Sequence, residues 1–125
     1  MDRRRGTVLV AEDDSSLLLL HRIWLESEGY EVRTATDGVR ALLSIADEGL
    51  PDAAVLDVAM PRLDGLDVCR FLRLQSSELP IVFVTALDDA RDDAFAAGAT
   101  EVLAKAADPD PLLLALRNAS RRLAA

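Results

Sequence analysis

Three stretches of this chain are apolar without interruption and only four residues long: Val8-Leu9-Val10-Ala11, Ala53-Ala54-Val55-Leu56 and Ile81-Val82-Phe83-Val84. A strand sends alternate side chains to opposite faces, so an unbroken apolar run has both faces buried. Strands of that kind belong to parallel sheets sandwiched between helices. This restricts the chain to the α/β class more tightly than any other feature it carries.

The rest of the sequence fits that class. Thr7–Ala11 reads as a first strand, and Ser15 or Ser16 as the cap of a helix running to about Ser27. Leu17, Leu20, His21 and Trp24 recur at helical spacing and predict its inward stripe. Leu18 and Leu19 then fall outside the stripe, with Leu18 a candidate for a docking surface. Gly29 fits a helix end. Glu31–Ala35 reads as a more exposed strand, and Asp37 opens a helix through Asp47 that stops at Gly49 and Pro51. After the Ala53–Leu56 strand, Asp64 or Gly65 starts a helix through Gln75. A fourth strand ends at Thr85-Ala86. Asp88–Ala97 reads as a helix stopped by Gly98, Glu101–Ala104 as a fifth strand, and the segment after Asp108-Pro109, through Arg122, as a last helix. Leu112, Leu113, Leu116 and Leu123 are available for its packing.

Five strands alternating with five helices predict a flavodoxin-like, doubly wound parallel sheet in the order 2-1-3-4-5, with helices on both faces. The length of 125 residues fits one domain, spanning 1–125 with a core of about 7–121.

Composition narrows the partners. Lys and Arg total 14 against 22 Asp and Glu, a net charge of −8, which argues against direct binding of nucleic acid or an anionic membrane by this chain. The single cysteine, Cys69, excludes an internal disulfide and suits a reducing compartment. Its place in a helix predicts a small buried hydrophobe. Arg3-Arg4-Arg5 is followed by only four apolar residues before Glu12-Asp13-Asp14, too few for a signal peptide, so a cytoplasmic location is expected.

The chemistry lies at the strand ends. Strand one ends in Glu12-Asp13, strand three in Asp57, strand four in Thr85 and strand five in Lys105. In open α/β sheets that carboxyl edge is where ligands bind. Alone, Asp57 reads as a capping or turn residue; the joint placement favours a site. Converging carboxylates make a hard-oxygen site suited to Mg²⁺ or Mn²⁺. A carboxylate beside such an ion can attack phosphorus and become an aspartyl phosphate. Lys105 would then pair with one phosphoryl oxygen, and the Thr85 hydroxyl and the Ala86 N–H would donate to others.

Four segments, Val8–Asp14, Val55–Gly65 (Val-Leu-Asp-Val-Ala-Met-Pro-Arg-Leu-Asp-Gly), Val84-Thr85-Ala86 and Ala97-Gly98-Ala99 followed by Lys105, resemble the receiver domain of two-component response regulators. The resemblance covers roughly Thr7 to Arg121. It implies that Asp57 accepts phosphate from a sensor histidine kinase or phosphotransfer protein. It also implies that Glu12 (through water), Asp13, Asp57 and the Ala59 carbonyl surround Mg²⁺. A homodimer or a downstream output domain are the further partners it implies. Such a module is no enzyme beyond its own phosphorylation and dephosphorylation.

Two positions depart from the family. Ala106 follows the lysine where proline is usual, which predicts a trans Lys105–Ala106 peptide, since a cis bond there costs about 2.5–4 kcal/mol. Val102 stands where Tyr or Phe is usual, so the customary aromatic reporter of phosphorylation is missing. Ala59 and Leu87 occupy the two places that help position the hydrolytic water in related receivers; neither side chain bonds to water, which predicts a long-lived phosphoprotein. Two alternatives stand beside the phosphoacceptor reading: a degenerate receiver used as a binding scaffold, and an Asp-nucleophile phosphohydrolase. The hydrolase reading lacks the usual second acid, because Ala59 holds its place.

Overall fold

The computed structural model describes residues 5–86 and 90–124, the last five of these by backbone alone. Its elements are β1 (Thr7–Ala11), α1 (Ser15–Ser27), β2 (Glu31–Ala35), α2 (Gly38–Glu48), β3 (Ala53–Leu56), α3 (Gly65–Gln75), β4 (Ile81–Thr85), α4 (Arg91–Ala97), β5 (Glu101–Ala104) and α5 (Asp110–Ala124). All strand pairs are parallel, and the sheet order is β2-β1-β3-β4-β5. The expected doubly wound architecture is present.

The apolar runs divide as the pleat requires. Leu9, Ala11, Ala54, Leu56, Ile81 and Phe83 face one layer, where α2, α3 and α4 supply Ala41, Ile45, Val68, Cys69, Leu72, Ala94 and Ala97. Val8, Val10, Ala53, Val55, Val82 and Val84 face the other, against Leu25 of α1 and Leu112 and Leu116 of α5. Cys69 is buried as expected, and its thiol donates to the Ala97 carbonyl at 3.4 Å.

Three helices start on an aspartate whose carboxylate accepts N–H bonds from the first turn: Asp14 for α1, Asp37 for α2 and Asp64 for α3. Asp14 therefore corrects the expected Ser15 or Ser16 cap. Its extended backbone, φ −77° and ψ 112°, aims the carboxylate at the N–H groups of Ser16 and Leu17.

The inward face of α1 is also rotated from expectation. His21 and Leu25 are buried, and Leu18 and Trp24 pack with them on the α1/α5 core. Leu18 is thus a packing residue, not a surplus one, while Leu19 is 56% exposed. The phase follows from Leu18, His21 and Leu25, which lie at i, i+3 and i+7 on the stripe that meets the sheet.

The expected start of the fourth helix, Asp88, and Leu87 lie outside the described residues, as does the Leu123 side chain. No cis peptide occurs among the described residues, so Lys105–Ala106 is trans as expected. Among those residues no helix is long and apolar enough to cross a membrane.

Candidate phosphoacceptor and metal site

Parallel register brings the polar strand ends together. Ala11 pairs with Leu56 across β1 and β3, and Thr85 pairs with Ala104 across β4 and β5. The ladder continues one step past each strand: Asp57 N–H donates to the Ala11 carbonyl at 3.1 Å, and Lys105 N–H to the Thr85 carbonyl at 3.2 Å. Glu12, Asp57, Thr85 and Lys105 therefore emerge on one edge.

Their side chains converge. Ligand oxygens of Glu12, Asp13 and Asp57 lie within 4.8 Å of one another. Glu12 and Asp57 are buried and Asp13 is exposed. The Lys105 ammonium reaches into this group, at 2.9 Å from Asp57 Oδ2 and 3.0 Å from Glu12 Oε1. The oxygen cluster is thus shaped around positive charge, and an all-carboxylate donor set matches a hard divalent ion. The residues fit Mg²⁺ or Mn²⁺ on that ground.

Asp14, third in the acidic run, is spent on the helix cap, and its N–H donates to Glu12 Oε2 at 3.2 Å. The cap thereby fixes the second Glu12 oxygen. Thr85 is buried at the same edge, while Ala86 and Ala59 are exposed beside it.

The electrostatics follow from burial. Desolvation pushes the Glu12 carboxyl up to about 7, reinforced by Asp57 and opposed by the bonds from Lys105 and the Asp14 N–H. Burial works against the Lys105 charge, but its bonds to Asp57 and Glu12 outweigh that and hold the ammonium above the ordinary lysine range. Without a metal the Glu12 carboxyl therefore keeps its proton to a higher pH than an ordinary glutamate does.

Backbone packing behind the site explains two glycines whose role was not evident in the sequence. A Cβ on Gly65 would overlap the Asp57 carbonyl oxygen, and one on Gly38 would overlap the Leu63 carbonyl. Gly65 N–H donates to the Val58 carbonyl at 3.0 Å, folding the β3–α3 loop back on the strand that presents Asp57. In the same loop Arg62 adopts a left-handed φ of 73°, and its guanidinium lies 3.7 Å from Asp37.

Where the family usually has an aromatic residue, Val102 is buried in the α2/α3/α4 core, and its carbonyl accepts from Arg91 at 3.0 Å. Sequence reasoning also missed how near His21 lies to this edge: it lines one cavity with Ala104 and Ala106, the two residues that flank Lys105. Only tertiary packing carries that signal.

Comparison with known proteins agrees with this geometry. Residues 8–117 match the family model of the response regulator receiver domain. The response regulator MprA of Mycobacterium avium (strain 104) is 45% identical over 117 residues, covering 92% of this chain and 51% of the relative. The same protein of Mycobacterium bovis (strain BCG / Pasteur 1173P2) is 45% identical, covering 92% of this chain and 50% of its own. The chain thus spans about half the length of the curated relatives it matches. Among solved structures, a putative response regulator from Chloroflexus aurantiacus superposes with a TM-score of 0.84 at 35% identity, over 91% of this chain and 96% of that one. TrrA from Thermotoga maritima, crystallised in complex with Mg²⁺-BeF, gives 0.83 at 30% identity, over 90% and 97%.

Proposed function

This chain belongs to the response regulator receiver domain family, and from that premise we propose that it takes a phosphoryl group onto Asp57 and so switches a partner. Receiver domains hold Mg²⁺ in an acidic pocket, and Glu12, Asp13 and Asp57 form such a pocket here. The observation that carries the reading is Lys105 bridging Asp57 and Glu12 at 2.9 and 3.0 Å, beside buried Thr85.

In this reading one Asp57 carboxylate oxygen attacks phosphorus as the donor's P–N or P–O bond breaks, and the leaving group takes the electron pair and then a proton. Glu12 through a water, Asp13, Asp57 and the Ala59 carbonyl would hold Mg²⁺ or Mn²⁺, whose charge, when bound, offsets that of the phosphoryl oxygens. Lys105 gives up its contact with Asp57 and pairs with a phosphoryl oxygen. The Thr85 hydroxyl and the Ala86 N–H donate to others. Positioning and charge supply the catalysis, as is general for phosphoryl transfer.

The phosphoryl donor in this reading is a sensor histidine kinase or phosphotransfer protein. A second copy or an output domain receives the signal. The chain acts in the cytoplasm, without binding nucleic acid itself and without enzymatic turnover on other substrates.

The test is incubation with acetyl phosphate and Mg²⁺. One phosphoryl group per chain, absent in Asp57→Asn, supports the reading. Multiple turnover of phosphate esters would establish a phosphohydrolase, and no labelling a scaffold.

A further inference from the structure

His21 is the only histidine and is 2% exposed, yet its Nδ1 has no hydrogen-bond partner among the described residues. Buried polar side-chain atoms are as a rule satisfied, and an orphan calls for a partner of some kind. Burial, together with the Lys105 charge, pushes the imidazole below the ordinary histidine range against the pull of Asp57. It is a neutral ring, with one nitrogen a donor and the other an acceptor, and the buried Nδ1 is the one that lacks a partner among the described residues.

The same side chain lines a cavity of about 20 Å³ between α1, β4, β5 and α5. Trp24, Ala104, Ala106 and Asp108 form much of the wall. A space of about 10–15 Å³ on this measure already holds one water, provided polar groups bound it. Here the imidazole, the Trp24 indole N–H and the Asp108 carboxylate are the polar side chains of the wall, and one Asp108 oxygen already accepts from the Asp110 N–H at 3.0 Å. The two alanines matter in another way. They flank Lys105, so the loop carrying the lysine has no bulk of its own to fill the space beneath it.

We propose that His21 is a positioning residue: it binds one ordered water in this cavity, and the water ties α1 to the β5–α5 loop that carries Lys105. The water bridges the imidazole to the Asp108 carboxylate and loop backbone. The loop, which lacks the usual proline at Ala106, is held in register by this bridge. The effect on phosphorylation rests on the phosphoacceptor reading above; the water and the loop order do not.

Two measurements test it on the intact chain. A crystal structure at high resolution should show a water within hydrogen-bond distance of His21 Nδ1 and of a group on the β5–α5 segment. Amide exchange should report the loop, using Lys105 N–H, which donates to the Thr85 carbonyl. Loss of one such link should speed its exchange about two- to tenfold in His21→Leu. His21→Gln, which keeps a polar group for the water, should restore protection, whereas a merely structural role would be served as well by leucine. Melting curves of both variants identify general unfolding. No water at Nδ1, or parental exchange in a folded His21→Leu, or failure of His21→Gln to restore it, overturns the proposal. Labelling by acetyl phosphate is read separately: an unlabelled parent sinks the phosphoacceptor reading, while the density and the exchange rates still decide the bridge.

Discussion

Glu12→Gln should remove a pH dependence of stability that the parent shows. In the metal-free protein the Glu12 carboxyl is pushed up to about 7 from an ordinary 4.5. A carboxyl raised on folding makes the folded state hold more protons than the unfolded one, so stability falls as pH rises through that window. Each pH unit is worth about 1.4 kcal/mol, and the gap caps the loss at about 3 kcal/mol. Between about pH 5 and about pH 8 the parent should lose about 1–3 kcal/mol that the variant keeps. Glutamine has nearly the same shape and cannot ionise.

Lys105, raised on folding, contributes stability that is lost only well above this window, as pH climbs through its folded value. His21, lowered on folding, acts in the opposite direction, but equally in both proteins. The difference between parent and variant therefore isolates Glu12. For a domain of this size the gap corresponds to about 5–10 °C in Tm at the alkaline end. The assay is thermal melting by circular dichroism in chelator, at closely spaced pH values. Saturating Mg²⁺ should reverse the order, since ligand at a hundred times its Kd adds about 2.7 kcal/mol to the protein that binds it. Parallel Tm curves for parent and Glu12→Gln from about pH 5 to about pH 8 would refute the account of the buried carboxyl.

Four further outcomes are expected. Asp13→Asn should weaken Mg²⁺ binding in a titration far more than Asp37→Asn, because Asp37 caps α2 and pairs with Arg40 and Arg62 away from the cluster. Gly65→Ala should cost about 1–3 kcal/mol in denaturant unfolding and slow labelling, since the new methyl collides with the Asp57 carbonyl; an unchanged midpoint would count against that packing. Arg62→Gly should leave stability unchanged or raise it by up to about 1 kcal/mol, because relief of the left-handed backbone offsets a 3.7 Å ion pair, exposed on its arginine side, that is worth about 0–1 kcal/mol while Arg40 still faces the buried Asp37. Ala59→Asn should shorten the life of the phosphoprotein by offering the hydrolytic water a polar side chain, read as faster loss of label with Mg²⁺ present.

What the sequence determined by itself was whatever depends on period and order. Unbroken runs such as Val82–Val84 are buried on both faces in any arrangement that hides them, so the layered parallel sheet was legible from those residues. Strand ends were legible too, because the change from Leu56 to Asp57 or from Ala104 to Lys105 is a change of chemistry at one residue. With the order 2-1-3-4-5, that placed Glu12, Asp57, Thr85 and Lys105 on one edge before any coordinate was known.

What only the tertiary structure decided depends on rotation and on contact between distant segments. The phase of α1 could not be read from Leu17-Leu18-Leu19-Leu20, since four successive leucines offer a helix several apolar stripes, and packing against the sheet chose the one through Leu18. Glu12 and Asp13 were legible as pocket residues, but the role of the third acid was not; the extended backbone at Asp14 makes it the cap of α1 in place of the two serines that follow. Gly65 and Gly38 look like ordinary helix-start residues until a carbonyl from another segment lies against each. The approach of His21 to the Lys105 loop links residues far apart in the chain, and no local pattern encodes a distance of that kind.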